Sequence, residues 1–170
     1  MLNKLFGKDH QSLLKLNKGY AFDYQNIQWE IIDVYEYDWG QDGSSIEYKI
    51  LGGSQEAYLE VEDDDGEIVV IFSVDIDKDQ LMPDFGPEDF EGEEILAELD
   101  YAGRRYQLEE INEGYFKNIA GMEPSQRLTN YGFYDGEHFV AIAQWDDGAM
   151  DFSVGQPIDS KKIKNIKAPF

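Results

Sequence analysis

A chain of 170 residues with 42% hydrophobic and 14% aromatic content fits one globular domain, or two small halves sharing a core, and is too apolar for disorder. It has no cysteine, which excludes disulfides, thiolate zinc sites and cysteine nucleophiles, and no apolar run near the roughly 20 residues of a membrane-spanning helix. Its net charge of −22 is uneven: residues 1–18 and 159–170 each carry +3, leaving −28 on the body between them, which repels phosphate backbones and argues against nucleic-acid binding.

The first 16 residues, MLNKLFGKDHQSLLKL, break their apolar positions with Lys4, Lys8, Asp9 and His10. That pattern is unlike a secretory signal, so the cytoplasm is the expected location. Leu13, Leu14 and Leu16 follow at roughly helical spacing between Gly7 and Gly19, which predicts a short helix near 9–16. From Tyr20 onward the period is two. The run NIQWEIIDVYEYDW predicts one long strand with Trp29, Ile31, Asp33, Tyr35, Tyr37 and Trp39 on a single face. The segments IEYKIL, EAYLEVE and EIVVIFSV continue as strands. An acidic stretch over 79–94 reads as a connecting loop, and strands resume from ILAELDY to AMDFSV. The expected organisation is a basic segment over 1–18, then one β domain over 19–170. Its two similar halves, about 19–80 and 94–166, are joined by the acidic loop.

The similarity of the halves is visible in alignment. Tyr48 meets Tyr131, Gly52-Gly53 meets Asp135-Gly136, Asp65-Gly66 meets Asp147-Gly148, and Phe72-Ser73-Val74 meets Phe152-Ser153-Val154. This correspondence predicts an internal duplication. It also explains Asp146 and Asp147 as turn residues, since Asp-Gly between alternating strands signals a hairpin whose central residues both take positive φ. The predicted fold is therefore all-β: two pseudo-duplicated antiparallel units forming a barrel or sandwich, because half-apolar strands and free edges must be covered.

Chemistry-bearing patterns are few. Asp75, Asp77 and Asp79 alternate as in a calcium loop, but Gln80 and Gly86 stand where an EF-hand needs its glycine and bidentate glutamate. His138 lacks a G-x-S-x-G partner and reads as a strand-surface residue. Arg104-Arg105 reads either as a partner for nearby carboxylates or as a grip for an anion. No P-loop or dinucleotide fingerprint is present. No catalytic residue, metal ligand or cofactor is assigned. The candidate ligand or interaction surface is aromatic: Tyr35, Tyr37, Trp39, Tyr48 and Trp145, with Tyr58 and Phe152 nearby. Such rings are usually core, and the alternative is an aromatic-lined pocket or contact surface.

The glycine-led first strand, WEIIDVYEY, IEYKIL…AYLEVEDDDG and NYGFYDGEHFVAIAQWDDGAMDFSVGQPI resemble the bacterial domain-of-unknown-function family 4178, from about Leu16 to Ile166. The resemblance implies no activity and no catalytic residues. It hints at envelope or polyamine-linked roles, and the cysteine-bearing zinc ribbon of some members is missing here. Two functions remain open. One is a non-enzymatic accessory or protein-interaction module with an unknown protein partner, which could touch a membrane surface peripherally through its basic termini. The other is a binder of a cationic, polyamine-like small molecule. Charge alone predicts weak cation binding that salt screens.

Overall fold

In the computed structural model, which describes residues 12–121 and 123–169, the period-two pattern is realised as a 12-stranded antiparallel sheet. The strands are β1 (Ala21–Tyr24), β2 (Ile27–Asp38), β3 (Ser44–Gly52), β4 (Gln55–Asp64), β5 (Glu67–Asp75), β6 (Leu81–Met82), β7 (Glu98–Tyr101), β8 (Arg104–Asn118), β9 (Gln126–Tyr134), β10 (Phe139–Trp145), β11 (Met150–Ile158) and β12 (Lys164–Lys167).

The helix expected near 9–16 is described only from Ser12 onward. Residues 9–11 lie outside those described, and only a single 3-10 turn, Leu13–Lys15, forms beyond them. The cause is tertiary. The Tyr48 hydroxyl donates to the Leu13 carbonyl at 2.6 Å and accepts from the Leu16 amide at 3.1 Å. A side chain thus takes backbone groups that a longer helix would use, while Leu13 and Leu16 are buried. Tyr48→Phe leaves both backbone groups without this partner. It is expected to lower stability by about 1–2 kcal/mol, read from denaturant unfolding at unchanged slope.

Neighbours in the sheet run β12-β1-β2-β3-β4-β5-β11-β10-β9-β8-β7-β6. A further pairing of residues 35–38 of β2 with 115–118 of β8 closes the eight central strands into a barrel-like ring. Each half runs in the same order: a short hairpin (β1–β2, β7–β8), a long strand, then a meander (β3–β5, β9–β11). Tyr48 lies opposite Leu59 as Tyr131 lies opposite Ile142, and where the halves join, Val74 lies opposite Val154. The last strand of each half pairs with the first strand of the other, β6 with β7 and β12 with β1.

Both long strands carry a β-bulge, between Ile31 and Asp33 in β2 and between Leu108 and Glu110 in β8. An extra residue reverses the facing of everything after it. The single aromatic face expected for β2 is thereby corrected. Trp29 and Ile31 join the apolar core with Val34, whereas Asp33, Tyr35 and Tyr37 share the opposite face with Lys49, Glu47 and Ser45.

Most apolar residues of the ring strands point outward, into two separate cores, whereas register puts Val69, Ile71, Leu128 and Phe139 on the inner side. The first holds Tyr48, Ile50, Leu59 and Val61 under β1, β12 and the 3-10 turn. The second holds Tyr131, Phe133, Val140 and Ile142, capped by Leu81, Phe85 and Phe90. The acidic connecting stretch is thus partly core. The hairpin turns also differ from one another: Asp65 and Gly66 both have positive φ, but at the equivalent turn only Gly148 does. There the Asp147 carboxylate accepts from the Ala149 amide at 2.9 Å.

Candidate functional site

With the apolar side turned outward, the polar side of the same strands faces the inside of the ring. Register places Tyr35 beside Glu47, Tyr37 beside Ser45, Glu47 beside Glu60, Ser45 beside Glu62, and Lys49 beside Tyr58. The second half contributes Asn112, Asn130, Gly132, Ala141, Ala143 and Ser153 to this side. The Glu60 carboxyl is influenced by the charge on Glu110, and the Tyr134 hydroxyl by Glu60, although β4 neighbours neither β8 nor β9 in the sheet. These groups therefore face the same interior. Most inward residues are half-buried, while the outward apolar residues opposite them are buried. Solvent therefore reaches part of the inside of this ring.

Four of the five aromatic residues singled out from the sequence come together there. Tyr37 and Trp39 stack at 5.2 Å with planes 3° apart. Phe116 joins them, 4.9 Å from Tyr35, 5.4 Å from Tyr37 and 5.2 Å from Trp145. Tyr48 does not belong: it is buried in the first core, on the other side of β3. Phe152 likewise packs against the second core, whereas Tyr58 faces inward.

The aromatic groups hold the carboxylates. Tyr37 donates to Glu47 at 3.1 Å, Tyr58 to Asp75 at 3.1 Å, Tyr134 to Glu110 at 3.3 Å, and the Trp145 indole to Asp151 at 2.8 Å. Trp39 donates to the Ser45 hydroxyl at 3.2 Å. Like-charge influence links the acids in sequence, Asp151 to Asp75, Asp75 to Glu47, Glu47 to Glu60 and Glu60 to Glu110. They form a continuous row from one half to the other.

Loss of water is the main reason that the Glu47 carboxyl is pushed up to about 8; the charge on Glu60 adds to it, and the Tyr37 hydrogen bond opposes it. Glu60 is pushed up to about 7, again by burial first, against a hydrogen bond with Ser45 and with repulsion from Glu62 and Glu110. Burial and the neighbouring carboxylates raise the Tyr35, Tyr37 and Tyr58 hydroxyls further above their ordinary value, so these remain donors. The basic group beside the pair, Lys49, is bridged to Glu56 at 3.4 Å.

Other chemistry-bearing residues have local partners. Arg104 binds Asp135 at 3.1 Å and Arg105 binds Asp100 at 3.1 Å, which matches the ion-pair reading of this dipeptide. His138 sits beside the Asp135 turn, its amide donating to that carboxylate at 2.6 Å. Asp77 takes part in the cap of a 3-10 turn, with its amide donating to the Gln80 side chain at 2.9 Å. Two open clefts of about 400 and 550 Å³ run along β1 and β12, away from the acidic row. Among the described residues no cluster of histidine and acidic groups is arranged to hold a metal ion, and no helix is long and apolar enough to cross a membrane.

Comparison with known proteins gives a family and a relative. Residues 17–160 match the family described as a domain of unknown function (DUF4178), and with a match over most of its length the chain belongs to that family. An uncharacterized protein of Aquifex aeolicus (strain VF5) is 25% identical over 175 residues, covering 97% of this chain and 95% of the relative. No solved structure matches.

Proposed function

We propose that this member of the family is a non-enzymatic binding module whose ring interior takes a linear organic polycation of the polyamine type. The observation that carries the reading is the row of carboxylates interleaved with tyrosine and tryptophan in a solvent-reached interior. Spaced carboxylates suit spaced ammonium groups, and aromatic faces attract cations where water is partly excluded. Half-buried acids held at a cost to the fold are a recurrent mark of binding sites. In this reading the two halves descend from an internal duplication. The first supplies Glu47 and Glu60, while the second supplies the smaller inward residues Ala141, Ala143 and Gly132.

A second reading, an accessory protein docking at an anionic surface such as the envelope membrane, is favoured by the basic ends. β12 pairs with β1, so Lys164 and Lys167 lie on the same half as Lys15 and Lys18. Cytoplasmic location belongs to both readings.

Calorimetric titration with spermidine and with magnesium, at low salt and at about 150 mM salt, tests the first reading. There the screening length is about 8 Å. The expected result is spermidine binding that survives the higher salt and is lost in Glu47→Gln/Glu60→Gln. Binding that vanishes with salt and is reproduced by magnesium would reduce the effect to the net charge.

A further inference from the structure

We propose that Glu47 and Glu60 hold one shared proton at neutral pH and that the ring exchanges this proton for its cationic ligand. The inference rests on the polycation reading for its second part only.

The geometry begins with register. Glu47 and Glu60 are directly opposite on adjacent strands and on the same inward side. Residues so placed have Cβ atoms about 5 Å apart, and like charges there destabilise the pair. Two carboxylates in that relation ionise in two coupled steps, and the second proton leaves reluctantly.

The surroundings do not relieve the repulsion. From β2 the pair faces Tyr35 and Tyr37, neutral donors; Tyr37 reaches Glu47 at 3.1 Å. On β3, Lys49 is the adjacent cation, and Glu56 shares it at 3.4 Å. On β4 stand Tyr58 and Glu62. Asp75 approaches from β5, Glu110 from β8 and Tyr134 from β9. Three more carboxylates therefore face the pair, against one lysine that is already engaged. A proton between the two glutamates removes one charge from the most crowded point. An ammonium group brought to the same point does so equally well, and then the proton is no longer favoured. Binding and deprotonation are linked through this competition.

Two measurements test the two parts separately. The first follows the ¹³C carboxyl resonances of glutamates in the ligand-free protein against pH, with Glu47→Gln and Glu60→Gln assigning the signals. Two coupled steps raised toward neutrality are expected, and in either variant the remaining glutamate should give one step at lower pH than in the pair, still above the ordinary range because it stays short of water. Titration of both carboxyls in the ordinary range would overturn the shared proton, whatever binds. The second is titration with spermidine at neutral pH in phosphate and in Tris, whose ionisation heats differ. Release of about one proton per bound cation is expected, and less in Glu60→Gln. Binding without proton release would overturn the exchange and leave the polycation reading standing. An absence of binding with the raised steps present would overturn both the exchange and that reading.

Discussion

Gly114→Val is expected to cost about 3 kcal/mol or more and to open the ring where β2 meets β8. Gly114 is buried, and a Cβ added there would lie 2.5 Å from Cε3 of Trp39 and 2.6 Å from the Asp38 carbonyl oxygen. The second of these is backbone and has no rotamer to change. Either Trp39 leaves its stack on Tyr37 or the two strands part, and overpacking of this kind is among the more destabilising of single changes. Gly121→Ala is the control, since its nearest new neighbour would be the Asn118 Cβ at 3.4 Å. Chemical unfolding of the two variants checks the prediction. Equal, small losses would show that the seam is not closed as described.

The second large effect is on the pH dependence of stability. Glu47 and Glu60 are pushed up to about 8 and about 7. The folded state therefore holds more protons than the unfolded state between the ordinary carboxylate range and those values. A raised carboxyl contributes stability that is fully present below the ordinary value, about 4.3, and is lost as pH rises through the folded one. Stability is expected to fall from about pH 5 to pH 8. Asp135 has the opposite sign. Amides of His138 and Glu137 hold it well below the carboxylate range, so its contribution is present at neutral pH and lost in acid. Glu60→Gln, which removes the charge and keeps the shape, should stabilise by about 2 kcal/mol at pH 8.5, discounted for the solvent that reaches the interior. At pH 5 it should change little. The exposed Glu67→Gln separates this effect from the general relief of net charge. If the two variants gain equally at pH 8.5, the pair does not carry the dependence.

Much of the fold was legible because alternation of apolar and polar residues is a direct imprint of a half-buried strand, and the segment from Ile46 to Val74 shows it plainly. The matching turn and strand residues likewise anticipated that β3–β5 and β9–β11 are both meanders. The bulge at Ile32 was not legible. One inserted residue inside an uninterrupted β-branched and aromatic run leaves no mark in composition, yet it decides which side Tyr35 and Tyr37 take. Tyr48 groups with the other aromatic residues in the sequence for the same kind of reason, since its ring alone does not say which face of β3 is core. The acids were the harder loss. In IEYKIL and EAYLEVE, Glu47 and Glu60 look like the ordinary solvent-facing positions of amphipathic strands. Only closure of the ring turns that face inward, and closure depends on a four-residue pairing between β2 and β8, segments far apart in the chain. β6 is two residues long and β12 reads as a lysine-rich tail, so neither announced itself.

The central claim, that a polycation enters the ring, can be read from the three tryptophans. Trp39 and Trp145 belong to the aromatic string of the interior, and Trp29 is buried in the first core on the outside of the ring. In a ¹⁵N spectrum of the indole groups at about 150 mM salt, spermidine is expected to shift the Trp39 and Trp145 signals with one common saturation curve and to leave Trp29 in place. Unmoved signals for all three, or a shift of all three that magnesium reproduces, would contradict it.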